Sequence, residues 1–134
     1  MIKLNSERAK TSESQLTLEV SLWFRDEYPD TPYRIDIAGD MPLPRIHRGR
    51  LKVLHGKWSR GHCDMVVYAG TKKFNGLHVE LKTEKAGVPN TEHTRTQANY
   101  HKVLRLNGYK ADFAVGFDGV TSMIKKYMKK VVTK

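Results

Sequence analysis

The sequence predicts an α/β fold, a mixed β-sheet flanked by helices in the order α-β-β-β-α-β-α. Two observations favour it. Residues 77–83 alternate apolar and polar side chains, which is typical of a strand with one buried face. Residues 12–28 and 90–106 instead repeat core-facing side chains at helical spacing. At 134 residues, the chain is expected to form a single domain over residues 1–134, with residues 1–11 flexible.

The first helix has both a start signal and a stop signal. Ser12, followed three residues later by Gln15, fits a capping box, so the helix is expected to begin there. Pro29 is expected to end it, because the residue before a proline is pushed out of the helical region. A short strand over residues 33–38 should follow, since its side chains alternate.

A β-hairpin is expected next. Its strands cover residues 64–69 and 77–83, and the turn-rich residues 70–76 join them. The connection closes on Asn75-Gly76, a pair that is typical of tight turns.

The middle helix is expected to begin at Asn90 or Thr91, either of which can cap it, and to run to about Leu106. Asn107-Gly108 is typical of a helix end, because glycine readily adopts the left-handed conformation found there. Four side chains should share one face of this helix, at positions i, i+3, i+4 and i+7: Gln97, Tyr100, His101 and Leu104.

Residues 111–117 are apolar enough to form a buried strand. Asp118-Gly119 is then expected to turn the chain into the last helix. That helix has one apolar side, made of Val120, Ile124, Tyr127, Met128 and Val131.

Two carboxylates and a lysine should meet at one end of the hairpin. Antiparallel pairing places Asp64 opposite the region of Glu80 to Lys82, and alternation puts Glu80 and Lys82 on one face. Carboxylate oxygens suit Mg²⁺ or Mn²⁺, so Asp64 and Glu80 are candidate ligands, with the Leu81 carbonyl as a third. A surface hairpin with ordinary charges is the alternative interpretation.

Such a site fits phosphodiester hydrolysis, which needs an activated water and neutralisation of charge on the phosphate. Lys82 could position that water or stabilise the developing charge. Gln97 is aimed at the same side as Leu104 and needs polar partners, which could be a metal-bound water, a phosphate or a backbone group. Glu13 falls in the first turn of its helix, where a negative charge is favourable in any case.

The net charge is +10, from 24 Lys and Arg against 14 Asp and Glu, which favours a polyanionic partner such as nucleic acid. Residues 45–60 contain no acid and lead directly into the candidate site, so their cationic side chains are expected to contact DNA phosphates. These are Arg45, Arg48, Arg50, Lys52, Lys57 and Arg60. The five lysines from Lys125 to Lys134 could equally contact DNA or form a solubilising surface.

The cellular setting is expected to be cytoplasmic. Cys63 is the single cysteine, so no internal disulfide can form. No apolar run approaches the length needed to span a bilayer, and the first residues lack the apolar core of a signal peptide.

Several motifs together resemble a VRR-Nuc domain, a branch of the PD-(D/E)XK nuclease superfamily. The resemblance extends from about Ser12 to Met128. Its motifs are Glu13 with Leu16…Trp23-Phe24-Arg25…Tyr28-Pro29, then Leu51-Lys52…Gly56…Gly61-His62-Cys63-Asp64, Val79-Glu80-Leu81-Lys82-Thr83, Gln97 with Leu104, and Gly108-Tyr109.

The resemblance implies a restriction-endonuclease-like core with Asp64 and Glu80 as metal ligands and Lys82 as the catalytic lysine. Gln97 would be the helix glutamine, and Glu13 the first-helix acid that assists metal binding, directly or through water, with Glu19 as the other candidate. The family's usual Pro-Asp is Cys63-Asp64 here, which bears on the geometry at the start of the strand.

Stand-alone VRR-Nuc domains of this size resemble virus-encoded homodimers that cut branched DNA, such as four-way (Holliday) junctions. The resemblance therefore implies a homodimer, located in the host cytoplasm if the protein is viral. A dimer also suits two symmetric cuts, which need two active sites related by a two-fold axis. Two alternatives are a non-catalytic basic protein that binds or packages DNA, and a sequence-specific restriction-type nuclease.

Overall fold

A computed structural model describes residues 12–35 and 64–132. The predictions made for residues 1–11 and for the end of the first strand lie outside the described residues. So do those made for the basic segment 45–60, with its six candidate DNA-binding residues, and for Cys63.

The described residues form three helices and four strands in the predicted order α-β-β-β-α-β-α. They are α1 (Glu13–Glu27), β1 (Tyr33–Ile35), β2 (Met65–Val67), β3 (Leu77–Lys82), α2 (Glu92–Leu106), β4 (Lys110–Val115) and α3 (Gly116–Met128).

The sheet is mixed, as predicted, with the strand order β1-β2-β3-β4. The first two neighbouring pairs are antiparallel. The pair β3 and β4 is parallel, and α2 makes the crossover between these two strands. In the β2–β3 pair, Met65 lies opposite Val79, so the next position along the register brings Asp64 opposite Glu80.

The predicted helix signals are confirmed where they rest on local hydrogen bonds. Ser12 Oγ accepts from the Gln15 backbone N–H at 3.1 Å and caps α1, which ends at Glu27. Thr91, rather than Asn90, caps α2 in the same way. Gly108 follows α2 with φ +88°, and a Cβ there would lie 2.5 Å from Asn75 Nδ2. Only glycine fits this close approach without a shift.

The predicted turn at Asp118-Gly119 is wrong. Strand β4 ends at Val115 and α3 begins at Gly116, so Asp118 lies in the first helical turn. The change of direction occurs at Gly116, which has φ +72°. A Cβ at Gly116 would come within 2.6 Å of the Glu84 side chain, so a tertiary contact reinforces the need for glycine. Val131 lies beyond the helix, in a bridge with Thr71.

The two faces of the sheet are packed differently. The main core joins one face to α1 and α3, and its fully buried strand residues are Met65, Val67, Leu77, Val79 and Leu81. On the other face, α2 packs Leu104 against Ala111 of β4. No helix among the described residues is long and apolar enough to cross a membrane.

Candidate active site

The candidate site is built where β2 begins and β3 ends. Asp64 immediately precedes β2, and its Oδ2 accepts a hydrogen bond from the Leu81 backbone N–H at 2.8 Å. Glu80 and Lys82 alternate with the core residues Val79 and Leu81, so both face α2. The structure therefore brings Asp64 next to Glu80, as the hairpin register predicts.

Gln97 joins the two charged residues of β3. Its Nε2 donates to Glu80 Oε1 at 2.5 Å, while its Oε1 accepts from Lys82 Nζ at 2.9 Å. An amide can donate from one end and accept at the other, so Gln97 holds both side chains at once. Within the protein, this buried amide therefore bonds to two side chains of the site.

Glu80 has a strongly raised pKa. Burial raises the pKa of Glu80 from 4.5 to about 10, and the neighbouring Asp64 charge and a hydrogen bond with Asp64 act in the same direction. Lys82 opposes this shift, and Glu13 adds to it. A proton on Glu80 could bridge the two carboxyl groups. Without that proton, Glu80 Oε2 is buried and has no hydrogen-bond donor among the described residues.

These features fit a divalent cation. Asp64 and Glu80 supply two acidic groups side by side, and the unpartnered Oε2 is an oxygen in need of positive charge. No group of three or more His, Cys, Asp or Glu side chains within residues 12–35 and 64–132 is placed to hold a metal. Mg²⁺ typically uses only one or two carboxylates in a protein, and water or substrate oxygens complete its coordination.

The overall architecture is shared with a solved structure. A chain described as a "VRR_NUC domain protein" superposes with a TM-score of 0.60 over 89% of each chain, at 22% sequence identity. This protein has a VRR_NUC-type fold. No protein-family model and no curated protein matches the sequence.

Within the VRR_NUC-type fold, the two candidate first-helix acids occupy different surroundings. Glu13 is exposed and lines an open pocket of about 370 Å³ together with Leu81 and Lys82. Its charge also reaches Glu80, since it contributes to the raised pKa of that carboxyl. Glu19 is buried, and its Oε2 has no hydrogen-bond partner among the described residues. Glu13 is therefore the acid that the structure places at the site.

Two buried histidines lie between the sheet and α2, on the side of the VRR_NUC-type fold that also carries Glu80 and Lys82. His78 precedes Glu80 by two positions on β3 and meets the Tyr109 ring edge-on at 5.1 Å. Alternation along β3 was the signal that could have placed it beside the site. His101 lies one turn after Gln97 and contacts the Phe113 ring at 4.7 Å between centroids. Burial, together with Arg105, lowers the pKa of His101 to about 4.

Proposed function

We propose that the protein is a metal-dependent DNA endonuclease that hydrolyses phosphodiester bonds and prefers branched DNA such as four-way junctions. One observation carries the proposal: Asp64, Glu80, Gln97 and Lys82 form a connected site in which the buried Glu80 Oε2 has no hydrogen-bond donor among the described residues. The VRR_NUC-type fold supports it.

Asp64 and Glu80 would hold Mg²⁺, for which Mn²⁺ can substitute. The Leu81 carbonyl would be a third ligand, and Glu13 would assist directly or through water. When bound, the ion lowers the pKa of a water molecule and neutralises charge on the phosphate. Since the pKa of Glu80 is raised to about 10, cation and proton compete for this carboxyl near neutral pH.

Lys82 is the group that acts on the substrate. A lysine ammonium has three donors, and Gln97 accepts one of them, which leaves two for the attacking water or a phosphate oxygen. Because Gln97 also holds Glu80, the distance between the lysine and the metal-binding carboxyl is kept nearly constant. A lysine fixed in this way pays little reorganisation energy as charge develops on the phosphate.

The partner would be DNA, bound by a protein of net charge +10. The six cationic residues between Arg45 and Arg60 are proposed to contact its phosphates. A homodimer would supply two active sites related by a two-fold axis, as paired cuts in a four-way junction require.

The alternative of a binding protein without catalysis is weaker on physical grounds. Two carboxylates beside a phosphodiester repel it unless a cation lies between them. The Asp64 carboxylate would therefore weaken DNA binding in a protein that never uses a metal ion, and so would Glu80 wherever it is ionised.

The test is cleavage of a labelled four-way junction and of a linear duplex of the same sequence, each with Mg²⁺, Mn²⁺ or EDTA. The variant is Glu80→Gln, and its matched control is Glu84→Gln, an exposed glutamate four residues later. Metal-dependent cutting that Glu80→Gln abolishes and Glu84→Gln retains is the expected result. Tight DNA binding without cutting under any metal would instead support the binding protein.

A further inference from the structure

A second charged site lies at the other end of the sheet. An open pocket of about 640 Å³ is lined by the turn before β3, the start of β4 and the end of α3. We call it the lysine pocket, after the five lysines that line it: Lys72, Lys73, Lys110, Lys126 and Lys130.

The walls of the lysine pocket are fixed by backbone hydrogen bonds. Thr71 forms an isolated bridge with Val131, and the Val132 N–H donates to the Gly70 carbonyl at 3.0 Å. The turn closes on itself through the Thr71 N–H and the Phe74 carbonyl, at 2.8 Å. The C-terminal segment is thereby held against this turn, so the pocket is part of the folded framework.

The floor of the lysine pocket is aromatic. Phe74 and Tyr127 both line it, and the Tyr127 hydroxyl donates to the Ala69 carbonyl at 2.6 Å. Lys73 Nζ and Lys110 Nζ lie 5.4 and 5.8 Å from the centre of the Phe74 ring. Apolar surface of this kind supports the methylene stems of lysines while their ammonium groups stay in solvent.

The charge of the lysine pocket is uncompensated among the described residues. None of its described lining residues is acidic, and the ion pairs within residues 12–35 and 64–132 involve none of the five lysines. A sphere of the pocket's volume has a radius of about 5 Å, less than the Debye length of about 8 Å at physiological salt, so the lysines repel one another. A bound polyanion would relieve this repulsion.

The lysine pocket is far from the candidate active site. Lys110 pairs with Leu77 at one end of β3, whereas Lys82 lies at the other end, about 17 Å away at roughly 3.3 Å per residue. The two sites also lie on opposite faces, because Phe74 and Tyr127 join the α1 and α3 side and Glu80 faces α2. Phosphate contacts in the pocket are therefore separate from those at the active site.

We propose that the lysine pocket binds the phosphate backbone of a second DNA arm while another arm occupies the active site. The proposal rests on the function proposed above and explains how a small nuclease could prefer branched DNA. Lysines recognise phosphates through charge, and each contact adds salt dependence to binding.

The test compares two double variants whose substitutions lie near the C-terminal end of α3. Lys126→Gln/Lys130→Gln removes two lysines of the pocket, while Lys125→Gln/Lys129→Gln removes two neighbouring lysines with the same spacing that do not line it. Fluorescence anisotropy with labelled four-way junction and linear duplex, in EDTA, measures binding without cleavage. Thermal unfolding checks that both variants fold.

The pocket variant should lose junction affinity on the order of ten-fold. The slope of log affinity against log salt concentration should become shallower by up to about 1.8, since each of two lost phosphate contacts accounts for roughly 0.9. Its duplex affinity should match that of the control variant. Equal losses for both DNA forms, or equal losses in both variants, would overturn the proposal.

The outcome is separable from that of the proposed function. Duplex cleavage with Mg²⁺ should persist in the pocket variant, because neither lysine lies at the active site. If the wild type cuts nothing with any metal, the nuclease proposal fails, whereas the binding comparison still decides whether the pocket holds DNA.

Discussion

The two faces of strand β3 have opposite chemical character. Leu77, Val79 and Leu81 point to one face and are 0% exposed in the main core. His78, Glu80 and Lys82 point to the other face, toward α2. A single strand therefore contributes apolar packing on one side and candidate chemistry on the other.

The difference shows on which side of the sheet the fold tolerates buried polar atoms that lack hydrogen-bond partners. On the polar face, Glu80 Oε2 and both ring nitrogens of His101 are buried without hydrogen-bond partners among the described residues. A buried polar group left unsatisfied costs about 1–3 kcal/mol. Apolar burial on the opposite face of the same backbone offsets this cost and holds the polar face in place.

The largest expected effect is on the apolar face. Leu77→Ala should lower the free energy of unfolding by about 2–5 kcal/mol, because it leaves a cavity in a fully buried part of the core. Urea denaturation measures it, with Leu106→Ala as the control, since Leu106 is 86% exposed. Similar losses in the two variants would contradict the division between the faces.

On the polar face, Lys82→Met should lower the cleavage rate about 10²–10³-fold, the usual effect of removing one donor to a developing oxyanion. The thermal unfolding temperature should change little, because the lysine is only partly buried. Single-turnover cleavage with Mg²⁺ measures the effect, and Lys102→Met, an exposed lysine on α2, is the control. A rate close to that of the control would exclude Lys82 from the chemistry.

Glu80→Gln should stabilise the protein in EDTA by up to about 3 kcal/mol at pH 7. Because the folded-state pKa is raised from 4.5 to about 10, the wild type loses stability as pH rises through this range. The variant lacks that loss, so the gap should widen with pH.

Mg²⁺ should reverse this order, because it stabilises the wild type and not the variant, by about 4.1 kcal/mol at one thousand times its dissociation constant. Thermal unfolding from pH 5 to 9, with and without Mg²⁺, measures both effects. If the variant is instead less stable than the wild type in EDTA, other groups of the protein already stabilise the charge of ionised Glu80.

The smallest effect concerns His101. Its pKa is lowered from 6.5 to about 4, so the unfolded chain binds the proton more readily in this range. Stability should therefore fall as pH drops from 6.5 toward 4, by at most about 1.4 kcal/mol per pH unit from this group.

His101→Leu should flatten this dependence, while His93→Leu, at an exposed position of the same helix, should keep it. Urea denaturation at pH 7 and pH 5 compares the variants. An unchanged slope in His101→Leu would assign the acid sensitivity to other groups.

Local signals predicted the elements of this fold well. Ser12 and Thr91 cap their helices through hydrogen bonds to residues three positions away, so a short stretch of sequence contains the whole interaction. The hairpin register followed from alternation, and it was enough to bring Asp64 beside Glu80. The start of α3 was missed because the signal at Asp118-Gly119 is local, whereas Gly116 is constrained by Glu84 from another part of the chain.

The sequence by itself determined the element order, the two-faced strand β3 and the presence of Asp64, Glu80, Lys82 and Gln97 on elements that could meet. Only the tertiary structure decided that Gln97 bonds to both Glu80 and Lys82. It also decided that five lysines from three separate segments form one pocket. The physical reason is the distance along the chain over which each interaction acts. Helix capping and strand alternation involve residues that are close in sequence, whereas burial and the clustering of charges depend on which distant segments pack together.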